Sequence, residues 1–288
     1  MTGDKSKIIR LAATVLLLRD GSDGLEVFME KRHIKSDFVG GAYVFPGGRV
    51  DPEDTSAAPV CRGRRDAEAS AAMGLESGGL AFWIAAVREC FEEAGVLLAY
   101  DGGDDLVSFA EAETEDRYKR LRDDLNGGET SILEIARNEG LELATDAMEV
   151  WSHWLTPMGQ PRRYDTWFFV AQAPEQQTAT HDDWELTSSA WVTPREAIDK
   201  AMKREWMIIF PTLKNLDQLS HFETAAEALQ WARDQGTPPT NLPKVLLDDE
   251  PRIVLPGDEG YERADEDVTK ADPKIFAKAF VPSKPLRT

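Results

Sequence analysis

Glu89, Glu92 and Glu93 stand three and four positions apart in the run Arg88-Glu89-Cys90-Phe91-Glu92-Glu93-Ala94-Gly95-Val96. On an α-helix, at about 100° per residue, these carboxylates share an arc of roughly 100° on one face. Ile84, Val87, Phe91 and Ala94 fall on the other side, as an amphipathic helix requires. Like charges at such spacings repel by about 0.2–0.5 kcal/mol per pair. That repulsion is harmless on a fully solvated face and useful under a divalent cation. Hard oxygen ligands of this kind suit Mg²⁺ or Mn²⁺. The trio alone leaves both readings open, a wet acidic face and a metal helix.

Upstream, Tyr43-Val44-Phe45-Pro46-Gly47-Gly48 reads as a strand stopped at a tight loop, where backbone can approach a ligand closely. With the acidic run it resembles the Nudix hydrolase signature, Gly-x5-Glu-x7-Arg-Glu-U-x-Glu-Glu-x-Gly-U, with U aliphatic. Arg88 to Val96 match the second half, with Cys90 at the first U. Gly48 fits the opening glycine, and Asp54 stands where the signature has glutamate. Between Asp54 and Arg88 lie 33 residues, 26 more than the seven of the signature. Arg163-Tyr164-Asp165-Thr166-Trp167-Phe168-Phe169, the stretch from Glu185 to Trp191, and Leu255-Pro256-Gly257-Asp258-Glu259 resemble the branch containing the peroxisomal coenzyme A diphosphatases. That branch also carries a long insertion inside its Nudix box. The resemblance spans roughly residues 10–262.

The resemblance implies hydrolysis of a diphosphate joined to a second moiety, by metal-assisted attack of water on phosphorus. It makes Glu89, Glu92 and Glu93 ligands of Mg²⁺ or Mn²⁺, with the Gly47 carbonyl a further one. Glu92, Glu93 and Arg88 are then catalytic, Arg88 bracing the loop that begins at Gly48 through Asp54 or Glu53. Glu185, six residues before Trp191, stands where relatives place a general base. Asp182 and Asp183 are adjacent competitors, and a solvated acidic turn is the plain alternative. His181 reads as a loop histidine. Positive charge for an anionic substrate is expected from Arg32, Lys35, Arg49 and the pair Arg162-Arg163, unless these are ordinary surface cations. Residues 32–48 partly resemble a coenzyme A recognition pattern. Asp165 is expected either to orient Arg163 or to cap a strand. Trp151, Trp154, Trp167, Phe168 and Phe169 read as core more readily than as base-stacking groups.

The implied activity is cleavage of coenzyme A or an acyl-coenzyme A to 3′,5′-ADP and a phosphopantetheine product. ADP-ribose and dinucleotides such as NADH compete within the class, because pocket contacts rather than the metal motif choose the substrate. A catalytically silent Nudix domain that binds a nucleotide metabolite is the reading from a different class.

These residues need a scaffold that brings Gly48 and Asp54 to the start of the acidic helix. Strands are expected over residues 11–19 and 25–32, joined by the hairpin signal Asp20-Gly21-Ser22-Asp23-Gly24, and over residues 42–45. Residues 51–79 form the insertion within the box, expected to loop out as exposed surface, with a short helix over 66–73. The metal helix covers 80–98 and closes near Gly95. Helices over 117–125 and 131–138 occupy a second insertion, 101–148. Strands follow over 149–156, 163–171 and 190–193, then helices from Pro194, over 212–219 and over 225–234. A Nudix domain over 8–236 and an extension over 237–288 that packs on it or frays complete the plan. The order fits an α/β/α sandwich around a mixed β-sheet with helical insertions, which is also what the Nudix resemblance implies.

With 288 residues, eight tryptophans and 42% hydrophobic content, the chain has ample material for a core. A formal charge of −19 argues against broad nucleic-acid or anionic-membrane binding. A small anionic substrate is the expected partner, with a second copy of the chain, in a homodimer, as a further candidate. Cys61 and Cys90 imply no disulfide framework and fit a reducing compartment. The apolar run 11–18 is too short to span a bilayer, and Arg19-Asp20 follows it without a cleavage pattern. The ending Lys284-Pro285-Leu286-Arg287-Thr288 is no peroxisomal address, so a cytoplasmic location is expected.

Overall fold

The computed structural model describes residues 8–33, 40–180, 186–272 and 274–279. The apolar run forms β1 (Ile9–Gly21), covered on both faces, which is why it reads as continuous rather than alternating. Ala13, Val15 and Leu17 enter one core, Leu16 and Leu18 the other. The glycine turn folds β2 (Gly24–Arg32) back antiparallel, with Gly21 opposite Gly24. Next, β3 (Tyr43–Val44) pairs with β2, and β4 (Gly47–Arg49) pairs with β1.

Residues 51–79 leave and rejoin the box as expected, with many side chains exposed, but the excursion is ordered rather than bare surface. They form a 3-10 helix over Asp54–Val60, then β5 (Cys61–Arg62) and α1 (Asp66–Met73). Ala57, Ala69 and Met73 join the core around α2 (Leu80–Ala94). Small apolar side chains spaced among charges hide this burial from a composition reading. Arg64 ties the segment down: its N–H donates to Thr145 Oγ1 (3.0 Å), and its guanidinium reaches Met148 O (3.1 Å) and Glu149.

α2 buries Trp83, Ile84, Val87 and Phe91, with Trp83 packed at 4.7 Å from the Phe169 ring. Each such side chain contributes about 1.5–3 kcal/mol of burial. The helix stops four residues earlier than expected, because Gly95 takes a left-handed conformation at φ 68°. β6 (Ala99–Tyr100) follows, then α3 (Ala112–Asn126), α4 (Ile132–Glu139) and β7 (Glu142–Ala144). α3 starts five residues before its expected position, with Glu113 and Glu115 suiting the positive end of the helix. Its Tyr118 stacks on Phe109 at 4.4 Å and meets the edge of Phe91 at 6.5 Å. The Ser131–Glu134 capping box opens α4, as expected. β7 lies between β5 and β6 in a small sheet that joins the two insertions.

The main sheet is completed by β8 (Met148–Leu155), β9 (Arg163–Gln172) and β10 (Leu186–Val192). β10 begins earlier than expected, its polar start carrying an irregularity between Leu186 and Ser188. The second face is covered by α5 (Pro194–Met202), α6 (Phe210–Leu219) and α7 (Ala225–Asp234). β11 (Thr240–Asn241) adds to β8, β12 (Lys244–Leu246) pairs with β13 (Arg252–Val254), and α8 (Ile275–Ala279) ends the described chain. The strand order is β10-β2-β1-β9-β8-β11, with β1–β9 parallel and β1–β2 antiparallel. Helices on both faces of this mixed sheet make the α/β/α sandwich. Val245, Ile253, Val268 and Ile275 of the extension enter the second core, so its described part packs rather than frays. No helix among the described residues is long and apolar enough to cross a membrane.

Candidate active site

The last two turns of α2 face the Gly47-Gly48 loop. An ideal Cβ on Gly48 would lie 2.6 Å from the Glu89 carboxyl carbon, and one on Gly47 would lie 2.6 Å from Thr14 Cα of β1. Both glycines are therefore needed for close approach, one to the carboxylate and one to the neighbouring strand. Gly47 meets the acidic cluster through its N–H, which donates to Glu93 Oε2 at 2.6 Å. Gly47 thus adjoins the acidic cluster, where its carbonyl is expected as a further ligand.

Arg88 spans the interrupted motif. Its Nε donates to Asp54 Oδ1 (2.8 Å), and Nη2 donates to Asp54 Oδ2 (3.1 Å) and Arg49 O (2.8 Å). Nη1 donates to Glu89 Oε1 (2.9 Å) and Glu92 Oε2 (2.7 Å). These five bonds use all five guanidinium N–H groups. Glu53, the other expected partner, is exposed. Burial disfavours the Arg88 charge, yet Asp54, Glu89 and Glu92 more than offset this and push its pKa above the usual range. Asp51, not singled out by the sequence, places a carboxylate 3.7 Å from the same guanidinium.

Burial, opposed by Arg88 and reinforced by Glu93 and Glu92, holds the Glu89 carboxyl well above the usual carboxylate range. Burial likewise raises Glu92. Such desolvated, mutually repelling carboxylates suit a divalent cation. Among the described residues, no three His, Cys, Asp or Glu side chains form a ready cage. Glu89 and Glu92 turn to Arg88, and Glu93 to Gly47. That arrangement fits a divalent cation that keeps waters and takes only one or two carboxylates from the protein.

The carboxylates border a cleft of about 1140 Å³. Its polar wall also includes Arg32, Arg49, Asp51 and Asn126, and its apolar wall includes Trp154, Phe168, Ile209, Phe210 and Phe276. Gly47, Thr14 and Phe168 are in register across β4, β1 and β9. The apolar wall thus begins about 10 Å, two strand spacings, from the glycine that holds Glu93.

Arg32 and Arg49 reach the cleft as expected of substrate-binding cations, whereas Arg163 does not. Alternation along β9 turns Tyr164, Thr166 and Phe168 to the cleft and Arg163, Asp165 and Trp167 away. Arg163 Nε donates to Thr156 O (3.0 Å), and Asp165 pairs with His153, which stacks on Trp167 at 3.9 Å. Lys35, His181, Asp182, Asp183 and Glu185 lie outside the described residues. All five aromatics are buried in the core, as expected, and Trp154 and Phe168 also border the cleft. The sequence reading also passed over Arg122 and Asn126, which hold the end of α2. Their i,i+4 spacing on an acidic helix was the available signal.

The architecture matches a crystal structure of a NUDIX hydrolase from Alicyclobacillus acidocaldarius, with a TM-score of 0.64 and 25% identity. The match covers 77% of this chain and 96% of that one. The sheet, the glycine loop and the carboxylate helix define a Nudix hydrolase. More narrowly, the chain belongs to the family described as the NUDT19 Nudix domain, whose model matches residues 64–219. It is 27% identical over 286 residues to acyl-coenzyme A diphosphatase NUDT19 of Xenopus laevis, covering 87% of this chain and 75% of that protein. The protein of the same name from Gallus gallus is 29% identical over 278 residues, covering 82% and 72%. The one from Homo sapiens is 27% identical over 276 residues, covering 83% and 73%.

Proposed function

We propose that this chain is a divalent-cation-dependent diphosphatase acting on coenzyme A or an acyl-coenzyme A, with Mg²⁺ or Mn²⁺ as cofactor. The products are 3′,5′-ADP and a phosphopantetheine bearing any acyl group. The observation that carries the reading is a single cleft in which an acidic wall with three arginines adjoins an apolar wall. The names of the three relatives support the same substrate class.

Glu89, Glu92 and Glu93 would hold the cation. When bound, it neutralises the diphosphate, lowers the pKa of water and orients in-line displacement. Arg88 has no donor left for substrate, so its part is to fix the Asp54 loop and two of the carboxylates. Arg32 and Arg49 place positive charge on the cleft wall, where they would meet the phosphates. The apolar wall suits the pantetheine arm and excludes water from that side.

The test is incubation with coenzyme A, short- and long-chain acyl-coenzyme A, ADP-ribose and NADH, each with Mg²⁺ or Mn²⁺, with both products read by mass spectrometry. Paired 3′,5′-ADP and phosphopantetheine products are expected. Turnover confined to ADP-ribose or NADH would overturn the substrate assignment. Tight binding without product would overturn the enzymatic one.

A further inference from the structure

The last four carbonyls of any α-helix lack partners within it. In α2 these belong to Phe91, Glu92, Glu93 and Ala94, and the structure satisfies all four. Gly95 N–H donates to Phe91 O (3.0 Å), and Thr180 N–H donates to Ala94 O (2.9 Å). The two between them belong to candidate metal ligands, and side chains of α3 close both. Arg122 Nε donates to Glu92 O at 2.9 Å and its Nη2 donates to Glu93 O, while Asn126 Nδ2 also donates to Glu92 O at 3.2 Å. An ideal Cβ on Gly95 would lie 2.8 Å from Arg122 Nη1. Gly95 thus serves the turn twice, through its left-handed φ and through the room it leaves for the guanidinium.

From this geometry we infer that Arg122, aided by Asn126, is a positioning residue of the active site, fixing the turn from which Glu92 and Glu93 project. Two features make α3 suited to this. Tyr118 anchors it against Phe91, the residue before Glu92. The planar guanidinium takes two adjacent carbonyls at once, which an ammonium cannot do with the same geometry. A cation at this end also favours the helix dipole and offsets the negative charge gathered there. Asn126 borders the cleft as well, so the second insertion contributes to its wall. The inference rests on the diphosphatase reading for its kinetic arm only.

The test compares the full-length wild type with Arg122→Gln, Arg122→Lys and Asn126→Ala, below the melting temperature of each. Mn²⁺ binding is followed by electron paramagnetic resonance without substrate, and turnover of coenzyme A with Mg²⁺ is measured separately. Arg122→Gln is expected to lower kcat about tenfold or more and weaken Mn²⁺ binding several-fold, with KM changed by less than about twofold. Arg122→Lys should recover part of both losses, and Asn126→Ala should show a smaller loss. A folded Arg122→Gln protein with wild-type kcat and Mn²⁺ affinity overturns the inference. If that variant does not fold, wild-type values for both Arg122→Lys and Asn126→Ala overturn it. A wild type that binds Mn²⁺ but cleaves no diphosphate sinks the diphosphatase reading alone, and Mn²⁺ affinity then decides the role of Arg122. A wild type that binds no Mn²⁺ overturns both.

Discussion

Arg88 and Asp54, 34 positions apart, meet in a two-point ion pair at 2.8 and 3.1 Å, with the Asp54 side chain 1% exposed. This contact joins the halves of the interrupted box across its insertion. Removing Asp54 leaves the Arg88 charge balanced by Glu89 and Glu92 but strips buried guanidinium donors of their acceptor, which costs about 1–3 kcal/mol. Asp54→Ala is expected to lower the unfolding free energy by that amount in urea titrations. A loss below about 1 kcal/mol would mean that Asp51 takes over the pairing.

The signature has glutamate at this position, so Asp54→Glu restores the signature residue. We expect it to destabilise the fold. Both oxygens of Asp54 already bond Arg88, and Oδ2 also accepts from Asp51 N–H at 2.8 Å. An extra methylene in this closed site should cost about 1–3 kcal/mol through displaced backbone. A variant melting above wild type would show slack that the packing does not suggest.

The carboxylates themselves can be tested with isosteres. Glu92→Gln and Glu93→Gln keep the shape of α2 and remove one charge each. Each is expected to reduce kcat at least about tenfold while leaving the circular dichroism spectrum unchanged. Wild-type turnover by both at saturating Mg²⁺ would return the trio to an ordinary acidic face.

Gly48 offers a steric test of the same site. A methyl group there must displace the Glu89 carboxyl, whose carbon lies 2.6 Å from the ideal Cβ. Gly48→Ala should therefore impair Mn²⁺ binding, while Gly24→Ala, at a turn with open space around it, should alter only stability. Equal Mn²⁺ affinity in Gly48→Ala and wild type would show that Glu89 moves aside freely.

Much of this arrangement was legible in the chain. The carboxylate spacing, the paired glycines and the Arg88–Asp54 contact follow from local pattern and resemblance. The bounds of α1 matched expectation, because an alanine-rich run ends at Gly74 in a left-handed turn. What stayed hidden depends on tertiary partners. Ala57 and Ala69 look like surface filler until α2 covers them, and Arg122 looks like one more cation on a charged helix. Alternation along β9 puts Trp167 and Phe169 on the face opposite Phe168, but which face borders a cleft is set by the elements that cover it, and periodicity alone does not report that.

The insertion also closes the start of α2, which gives the last expectation. Asp66 Oδ2 accepts from Gly78 N–H (2.9 Å) and Oδ1 from Leu80 N–H (3.1 Å), while Ser70 Oγ accepts from Gly79 N–H (2.9 Å). These are main-chain donors of the first turn and the residues leading into it, so α1 supplies the cap that α2 lacks in its own sequence. The Gly78 bond, then the Leu80 bond, hold the Asp66 carboxyl below its usual range. A group whose folded pKa is depressed stabilises fully above its unfolded value, about 3.9, and loses that contribution as pH falls through the folded one. Loss of a side-chain cap costs about 0.5–2 kcal/mol. Asp66→Ala should therefore be less stable than wild type by that amount at pH 7, with the gap steady down to about pH 5 and narrowing below pH 4. Paired urea titrations across this range would measure it. A gap that stays constant into the acid range would show that the alanine acts through packing of α1 and that the carboxylate does not cap α2.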